Sequence, residues 1–307
     1  MDLRELALVL FTVIMQMAVG AFCVLGGVHF FAARRNGLDE ADKLSNRALV
    51  AIGPLAVFAL AVTFLHLGNP INAPRAISNL GASWLSREIT LALAFSAGGA
   101  VFAFLQWRKL STPALRNALA LVVAAVGLVL VYAMSSVYVL PAVPAWDSLN
   151  TPISFFVTTF LLGALAMGAA FVANFWYVKR KGMDPKNVQY SMLATSLKYI
   201  ALLAIGLLGV QFIVIPLYLA SLAFTNDPAA TASVNIVFGE HGVLFTLRLV
   251  FLFLGAGLLS AFVYQMAGTE SKLRIVSNMA YLAFALVLVS EILGRYLFYE
   301  SMVRIGL

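Results

Sequence analysis

Charged residues are scarce in this sequence, and cysteine is nearly absent. Only 11% of the 307 residues are charged, whereas a typical soluble domain has about 25%. The single cysteine, Cys23, excludes an internal disulfide and any iron–sulfur cluster held by cysteines of this chain alone. The net charge of +7 comes from basic residues in short segments between apolar runs, so we expect no nucleic-acid partner.

Apolar residues dominate instead. Hydrophobic residues make up 62% of the sequence, and the mean hydropathy is +0.96. A soluble fold cannot hide this much apolar surface from water, whereas a lipid bilayer accepts it directly. The composition therefore predicts an integral membrane protein, surrounded by lipids, with little folded mass outside the bilayer.

Eight continuous apolar runs are each long enough to cross a hydrocarbon core of about 30 Å as a helix of ~20 residues. They do not alternate over ~10-residue segments, as the strands of a membrane barrel would. We expect the first run to be a span, because it is too long for the apolar part of a signal peptide. The sequence thus predicts a single all-α domain, residues 1–307, with spans near 6–33, 48–68, 86–107, 115–140, 152–178, 195–224, 241–266 and 273–299.

Lysine and arginine are divided unevenly between the two sides of this predicted bundle. The odd-numbered connections, which we expect to be plain solvated loops, carry fourteen of them. The termini and the even-numbered connections carry five, and Arg248 lies inside a span. Because cytoplasmic loops are enriched in lysine and arginine, both termini are predicted to be periplasmic, in the cytoplasmic membrane of a bacterium or archaeon.

The even-numbered connections contain more residues that form turns. The second reads NPINAPRAISNLGASWL, and the fourth reads LPAVPAWDSLNTP, in which Trp146 is predicted to anchor at the membrane interface. The sixth, residues 225–239, is predicted to be a further long outer loop. A functional site is therefore expected on the periplasmic side.

Ionisable residues within or beside the spans gather toward that same side. A charge at the bilayer centre costs at least about 2.5–3.5 kcal/mol, so such residues are candidates for function. Glu291 and Arg295 are four residues apart and share a helix face, which favours a structural pair within that helix. Arg248 either pairs with Glu291 or extends toward the interface. The full set comprises His66, Glu88, Glu240, His241, Arg248, Glu291 and Arg295.

His66 and Glu88 flank the second connection and suit the removal of protons from hydroxyl groups. A neutral imidazole can accept a proton, since its reference pKa is about 6.5. A half-buried carboxylate can pass a proton on to water. The pair is therefore the strongest candidate for a reaction centre in the sequence.

Four segments resemble the family of dimethyl sulfoxide reductase membrane-anchor subunits, and they occur in the family's order. The resemblance implies a subunit that anchors a periplasm-facing iron–sulfur subunit with four clusters, through which electrons reach a molybdopterin catalytic subunit. It also implies that the chain oxidises menaquinol without a haem or iron–sulfur cluster of its own and does not itself reduce the terminal acceptor. The segments are FLHLGNPINAPRAISNLGASWLSREI (64–89), VPAWDSLNTPISFF (143–156), LFTLRLVF (244–251) and SEILGRYLFY (290–299).

By this resemblance, His66 of the HLG motif and Glu88 of the LSREI motif are the quinol-site residues. Gly68 of the same HLG motif would allow close approach of a helix or ring. Apart from the resemblance, the remaining ionisable residues toward this side are candidates for quinol binding, and whether His241 joins the site stays open. They are Arg75, His241, Arg248, Glu291 and Arg295.

Three alternatives stay open. The first is a haem-b anchor, for which His66 and His241 are the only candidate axial pair. The second is a secondary transporter, although no inverted repeat is found in the sequence. The third is a pure anchor without a quinol site.

Overall fold

The computed structural model is an all-helical bundle. It describes residues 3–66, 77–182 and 187–306, so Gly68 and Arg75 lie outside the described residues, as does the side chain of His66. Eight of the helices in these ranges are long and apolar enough to cross a membrane. The predicted number of spans is confirmed.

The helices that form the spans are in most cases longer than the apolar runs. They are α1 (Leu3–Asn36), α2 (Leu38–His66), α3 (Trp84–Arg108), α4 (Pro113–Ser136), α5 (Asn150–Arg180), α6 (Asn187–Phe224), α8 (Gly242–Leu252) with α9 (Ser260–Met266), and α10 (Leu273–Glu300). A π-helical segment, Phe253–Leu259, joins α8 to α9 within one span. Shorter elements are the 3-10 turns Ile77–Asn79 and Glu270–Lys272, the helix α7 (Pro228–Asn235) and the π turn Ile236–Glu240.

The first connection is helical, which makes the loop predicted for residues 34–47 wrong. Gly37 alone joins α1 to α2, with a φ of +87° that favours glycine. Asp39 and Glu40 lie in the first turn of α2, where negative charge stabilises a helix N-terminus. Lys43 donates to Glu40 at 2.6 Å one turn away. Polar residues therefore extend α2 beyond its apolar run.

The sixth connection also contains a helix where a loop was predicted. The side chain of Asp227 accepts a hydrogen bond from the backbone N–H of Ala229 at 2.8 Å, and Pro228 occupies the first helical position. Both features are typical of a helix N-terminus. The segment folds as α7 and continues through the π turn to Glu240.

The helices α1 and α5 form the centre of the bundle. In each, 72% of the most apolar stretch is buried, against 17% in α3. A Cβ on Gly20 would lie 1.8 Å from the carbonyl oxygen of Thr159, and one on Gly163 would lie 2.2 Å from the carbonyl carbon of Gly20. Membrane helices approach this closely only where both carry small residues.

The end of the bundle opposite the termini carries polar contacts between helices. Lys109 forms an ion pair with Asp42, and the side-chain amide of Gln106 donates to the same carboxylate at 2.8 Å. Arg47 donates to the side chain of Asn174 at 3.1 Å. We refer to this end as the basic end.

Candidate functional site

Glu88 is a buried carboxyl group one turn inside α3, at the end of the bundle that holds both termini. Only 3% of its surface is exposed. Its position follows from the start of α3, which Ser83 fixes by accepting a hydrogen bond from the backbone of Ser86 at 3.3 Å. Glu88 lies close enough to Tyr138 and Tyr299 to interact with both electrostatically. A buried carboxyl group in a membrane is costly and is a candidate for function by default.

A chain of hydroxyl groups runs from beside Glu88 to α1. The hydroxyls of Tyr138 and Tyr299 are 2.9 Å apart, and that of Tyr299 donates to Thr12 at 3.5 Å. A hydroxyl both donates and accepts, so each member of the chain is able to exchange a proton with its neighbour.

Aromatic rings surround these hydroxyls and form a layer, which we call the aromatic layer: Tyr138, Trp146, Phe155, Phe298 and Tyr299. The ring of Trp146 stacks on Phe298 with centroids 5.2 Å apart, and its indole N–H donates to the Phe298 carbonyl at 2.7 Å. Trp146 is only 6% exposed. Its predicted role as an interfacial anchor is therefore wrong, because its polar atom is satisfied inside the protein.

Arg295 is a buried cation behind the aromatic layer. Its guanidinium lies 3.6 Å from the centre of the Phe155 ring, a cation–π contact. It also donates to the side-chain oxygen of Gln16 on α1 at 3.0 Å. Arg295 thus links α10 to α1 and α5.

Glu291 is held by neutral donors from two other helices. Thr158 on α5 donates to one carboxylate oxygen at 2.6 Å, and Gln211 on α6 donates to the other at 2.9 Å. No ion pair within 4.0 Å joins Glu291 to Arg295 or Arg248 among the described residues. The predicted pair within α10 is wrong, because the two side chains find their hydrogen-bond partners on other helices, Glu291 on α5 and α6 and Arg295 on α1.

A cavity of about 90 Å³ lies between α5, α6, α8 and α10. Its polar lining includes Gln211, Arg248, Glu291 and Arg295. The guanidinium of Arg248 fits because Gly294 has no side chain, and a Cβ there would lie 2.6 Å from the Arg248 Nε. Within the described part of the chain, the Nε atoms of both arginines and the side-chain oxygen of Gln211 have no hydrogen-bond partner. Most of the remaining lining is apolar, and a cavity that contains such unpaired polar groups suits bound water.

The predicted site residues therefore fall into three places. Arg248, Glu291 and Arg295 line the cavity, while Glu88 lies within electrostatic range of Tyr138 in the aromatic layer and does not line the cavity. His241 belongs neither to the cavity lining nor to the aromatic layer. Its Nε2 lies 3.9 Å from a carboxylate oxygen of Glu300, at the end of α10. His66 is the last residue of α2, and its side chain, like Gly68 and Arg75, is outside the described part.

Several residues of this region were not predicted from the sequence. They are amides, hydroxyls and aromatic residues whose partners lie on other helices: Thr12, Gln16, Tyr138, Thr158, Gln211 and Tyr299. The available signal was an amide in the middle of an apolar run, as at Gln16 and Gln211. Such a side chain must find a partner inside a membrane bundle.

Replacing Thr158 with valine is expected to lower the free energy of unfolding by about 1.5–3 kcal/mol, because a buried charged group loses a hydrogen bond. The valine keeps the shape of the side chain. Thr246→Val is the matched control, since that hydroxyl is exposed and, within the described part of the chain, bonds only to the Gly242 carbonyl in its own helix. Detergent-induced unfolding of the two variants measures the difference, and equal stability would contradict a bond between Thr158 and Glu291.

The described residues contain no group of three or more histidine, cysteine or acidic side chains that could hold a metal ion. Residues 1–300 match the family described as DMSO reductase anchor subunit (DmsC). The chain belongs to this family. It is therefore a multi-pass membrane protein and an anchor subunit of a DMSO reductase complex, which implies catalytic and other subunits beside it.

Three bacterial relatives are similar in sequence to this protein. The protein is 28% identical over 306 residues to the C subunit of the anaerobic dimethyl sulfoxide reductase of Escherichia coli (strain K12), covering 99% of this protein and 97% of the relative. The YnfH subunit of an anaerobic dimethyl sulfoxide reductase of the same bacterium is 31% identical over 167 residues, 54% of this protein and 57% of its own length. A C subunit from Haemophilus influenzae is 28% identical over 204 residues, 66% of this protein and 70% of the relative. A bacterial inner membrane fits these relatives.

Proposed function

We propose that this protein oxidises menaquinol at the end of the bundle that holds both termini and delivers the electrons to an iron–sulfur subunit docked there. The supporting observation is the burial of Glu88 beside the hydroxyl pair of Tyr138 and Tyr299. Oxidation of a quinol releases protons and electrons together, so its site needs a proton acceptor and a separate path for electrons.

Glu88 and His66 are the proton acceptors in this proposal. Glu88 removes a proton from one quinol hydroxyl, and His66, at the end of α2, removes one from the other. Tyr138 lies within electrostatic range of Glu88, and its hydroxyl is hydrogen-bonded to that of Tyr299. Arg295 places a positive charge behind the two tyrosines.

The electrons leave to a partner, since one cysteine cannot hold a cluster. The partner we propose is an iron–sulfur subunit with four clusters, which passes electrons to a molybdopterin catalytic subunit. The distribution of lysine and arginine in the sequence supports a periplasmic position for this end, because fourteen are predicted for the opposite end and five for this one.

Omitting this subunit from the complex is expected to abolish menaquinol oxidation while leaving reduction of the terminal acceptor by a soluble artificial donor intact. The reason is that the soluble donor reduces the iron–sulfur subunit directly. Rates of both reactions, measured on matched preparations with and without the subunit, provide the test. Menaquinol oxidation that persists without it would contradict the proposal, and a haem absorbance band in the pure, active complex would support the haem-b alternative.

A further inference from the structure

A groove separate from the candidate site opens between α1 and α6 at the basic end of the bundle. Its volume is about 630 Å³, within the roughly 300–1,000 Å³ that ligand sites occupy. Residues 24–36 of α1 and 191–203 of α6 form its walls. No residue of the aromatic layer, and none that lines the 90 Å³ cavity, lines this groove.

The length of the groove matches one leaflet of a bilayer. At 1.5 Å per residue, each helical wall extends for roughly 18 Å. Half of a hydrocarbon core is about 15 Å. The groove starts at the helix ends and stops in mid-membrane, near Val24 and Leu203. A partner's transmembrane helix would need a path through both leaflets, whereas a lipid of one leaflet needs only this length.

The lining changes from apolar to polar along the groove. Val24, Val28, Ile200 and Leu203 line its deep part. The part nearer the helix ends carries a cation, an amide and hydroxyl groups, and among the described residues none of these side chains forms a hydrogen bond or ion pair. They are Arg35, Asn36, Ser191 and Thr195, while Tyr199 lies beside Ile200 in the deep part. The groove is therefore complementary to a molecule with an anionic head and an apolar tail.

We propose that this groove binds an anionic phospholipid of the leaflet at the basic end. The phosphate contacts Arg35 and the neighbouring polar groups, and an acyl chain lies between α1 and α6. Basic pockets between membrane helices on the cytoplasmic side recognise acidic head groups in this way. The structure describes thirteen of the fourteen lysines and arginines predicted at this end, and they add attraction for an anionic lipid over a neutral one. The proposal does not depend on quinol oxidation.

Binding of phosphatidylglycerol to the delipidated complex, followed by native mass spectrometry, tests the head-group contact. Arg35→Gln is expected to weaken binding about fivefold, the effect of one basic residue near an anionic lipid. Arg34→Gln is the matched control, because the guanidinium of Arg34 lies 4.5 Å from the centre of the Phe30 ring and does not line the groove. Wild-type protein should bind phosphatidylcholine more weakly than phosphatidylglycerol.

A second variant tests the acyl-chain contact. Gly27 lines the groove, and a Cβ on it would meet no heavy atom within 4 Å. Gly27→Leu should occupy part of the space between α1 and α6 and weaken phosphatidylglycerol binding without lowering the melting temperature in detergent. Equal weakening by Arg34→Gln and Arg35→Gln, equal binding of the two lipids, or unchanged binding in Gly27→Leu would each overturn the proposal.

Discussion

Replacing Glu88 with glutamine is expected to slow menaquinol oxidation at least about 100-fold, the usual contribution of a positioned proton acceptor. Glutamine fills nearly the same buried space, so the helices around Tyr138 should stay in place. An amide cannot accept the quinol proton at neutral pH. The measurement is the rate of oxidation of a menaquinol analogue by membranes that contain equal amounts of assembled complex.

Glu300→Gln is the matched control for this experiment. Glu300 is a carboxylate at the same end of the bundle, and its contact is with His241 at 3.9 Å rather than with the aromatic layer. Its replacement should leave the rate within about twofold of wild type, because removing a partly exposed ion pair changes little. An assembled complex with Glu88→Gln and an unchanged rate would establish the pure-anchor alternative.

Replacing Gly163 with alanine is expected to lower the free energy of unfolding of the bundle. Overpacking usually costs about 1–3 kcal/mol, and the expected loss here is at the upper end of that range or above it. The added Cβ would lie 2.2 Å from the backbone of Gly20, and backbone atoms cannot rotate away as side chains do. Because α1 and α5 form the centre, their separation should disturb every helix that packs on them. The amount of folded protein in the membrane, and its unfolding in detergent, measure the effect.

Gly206→Ala provides the control. Gly206 lies on α6, and a Cβ added there would have no heavy atom within 4 Å, so the substitution adds no contact. Alanine also has a higher helix propensity than glycine by about 1 kcal/mol. The control should therefore be as stable as wild type or more so, and equal stability of the two variants would argue against a close crossing of α1 and α5.

The spans were predictable because the bilayer imposes a length on each apolar run and excludes most alternatives. Where polar residues continue a helix, hydropathy gives no signal, and a loop was therefore expected for the residues after Gly37. The short helix α7 was missed for a related reason. Asp227 and Pro228 are typical of turns as well as of helix starts, and only the fold decides between them.

The charged residues of the candidate site could be predicted from the sequence, whereas the residues that bond to them could not. Arg248, Glu291 and Arg295 stand out in an apolar sequence, and the structure brings these three to one cavity. Their contacts depend on which helices are neighbours, which periodicity does not reveal. Thr158 is the example: nothing in its own run distinguishes it from Thr159, yet it alone faces Glu291.

The contact between Gly20 and Gly163 has a consequence for the order of events during synthesis. The first span enters the membrane about 140 residues before its glycine partner has been made, which at ~5–20 residues per second is a delay of roughly 7–30 s. Throughout that interval Gln16 and Thr12 have no access to Arg295 and Tyr299, which are made later still. These polar side chains of the N-terminal span therefore lack their partners until synthesis of the protein is almost finished, although α2, which packs against the same span, is made directly after it.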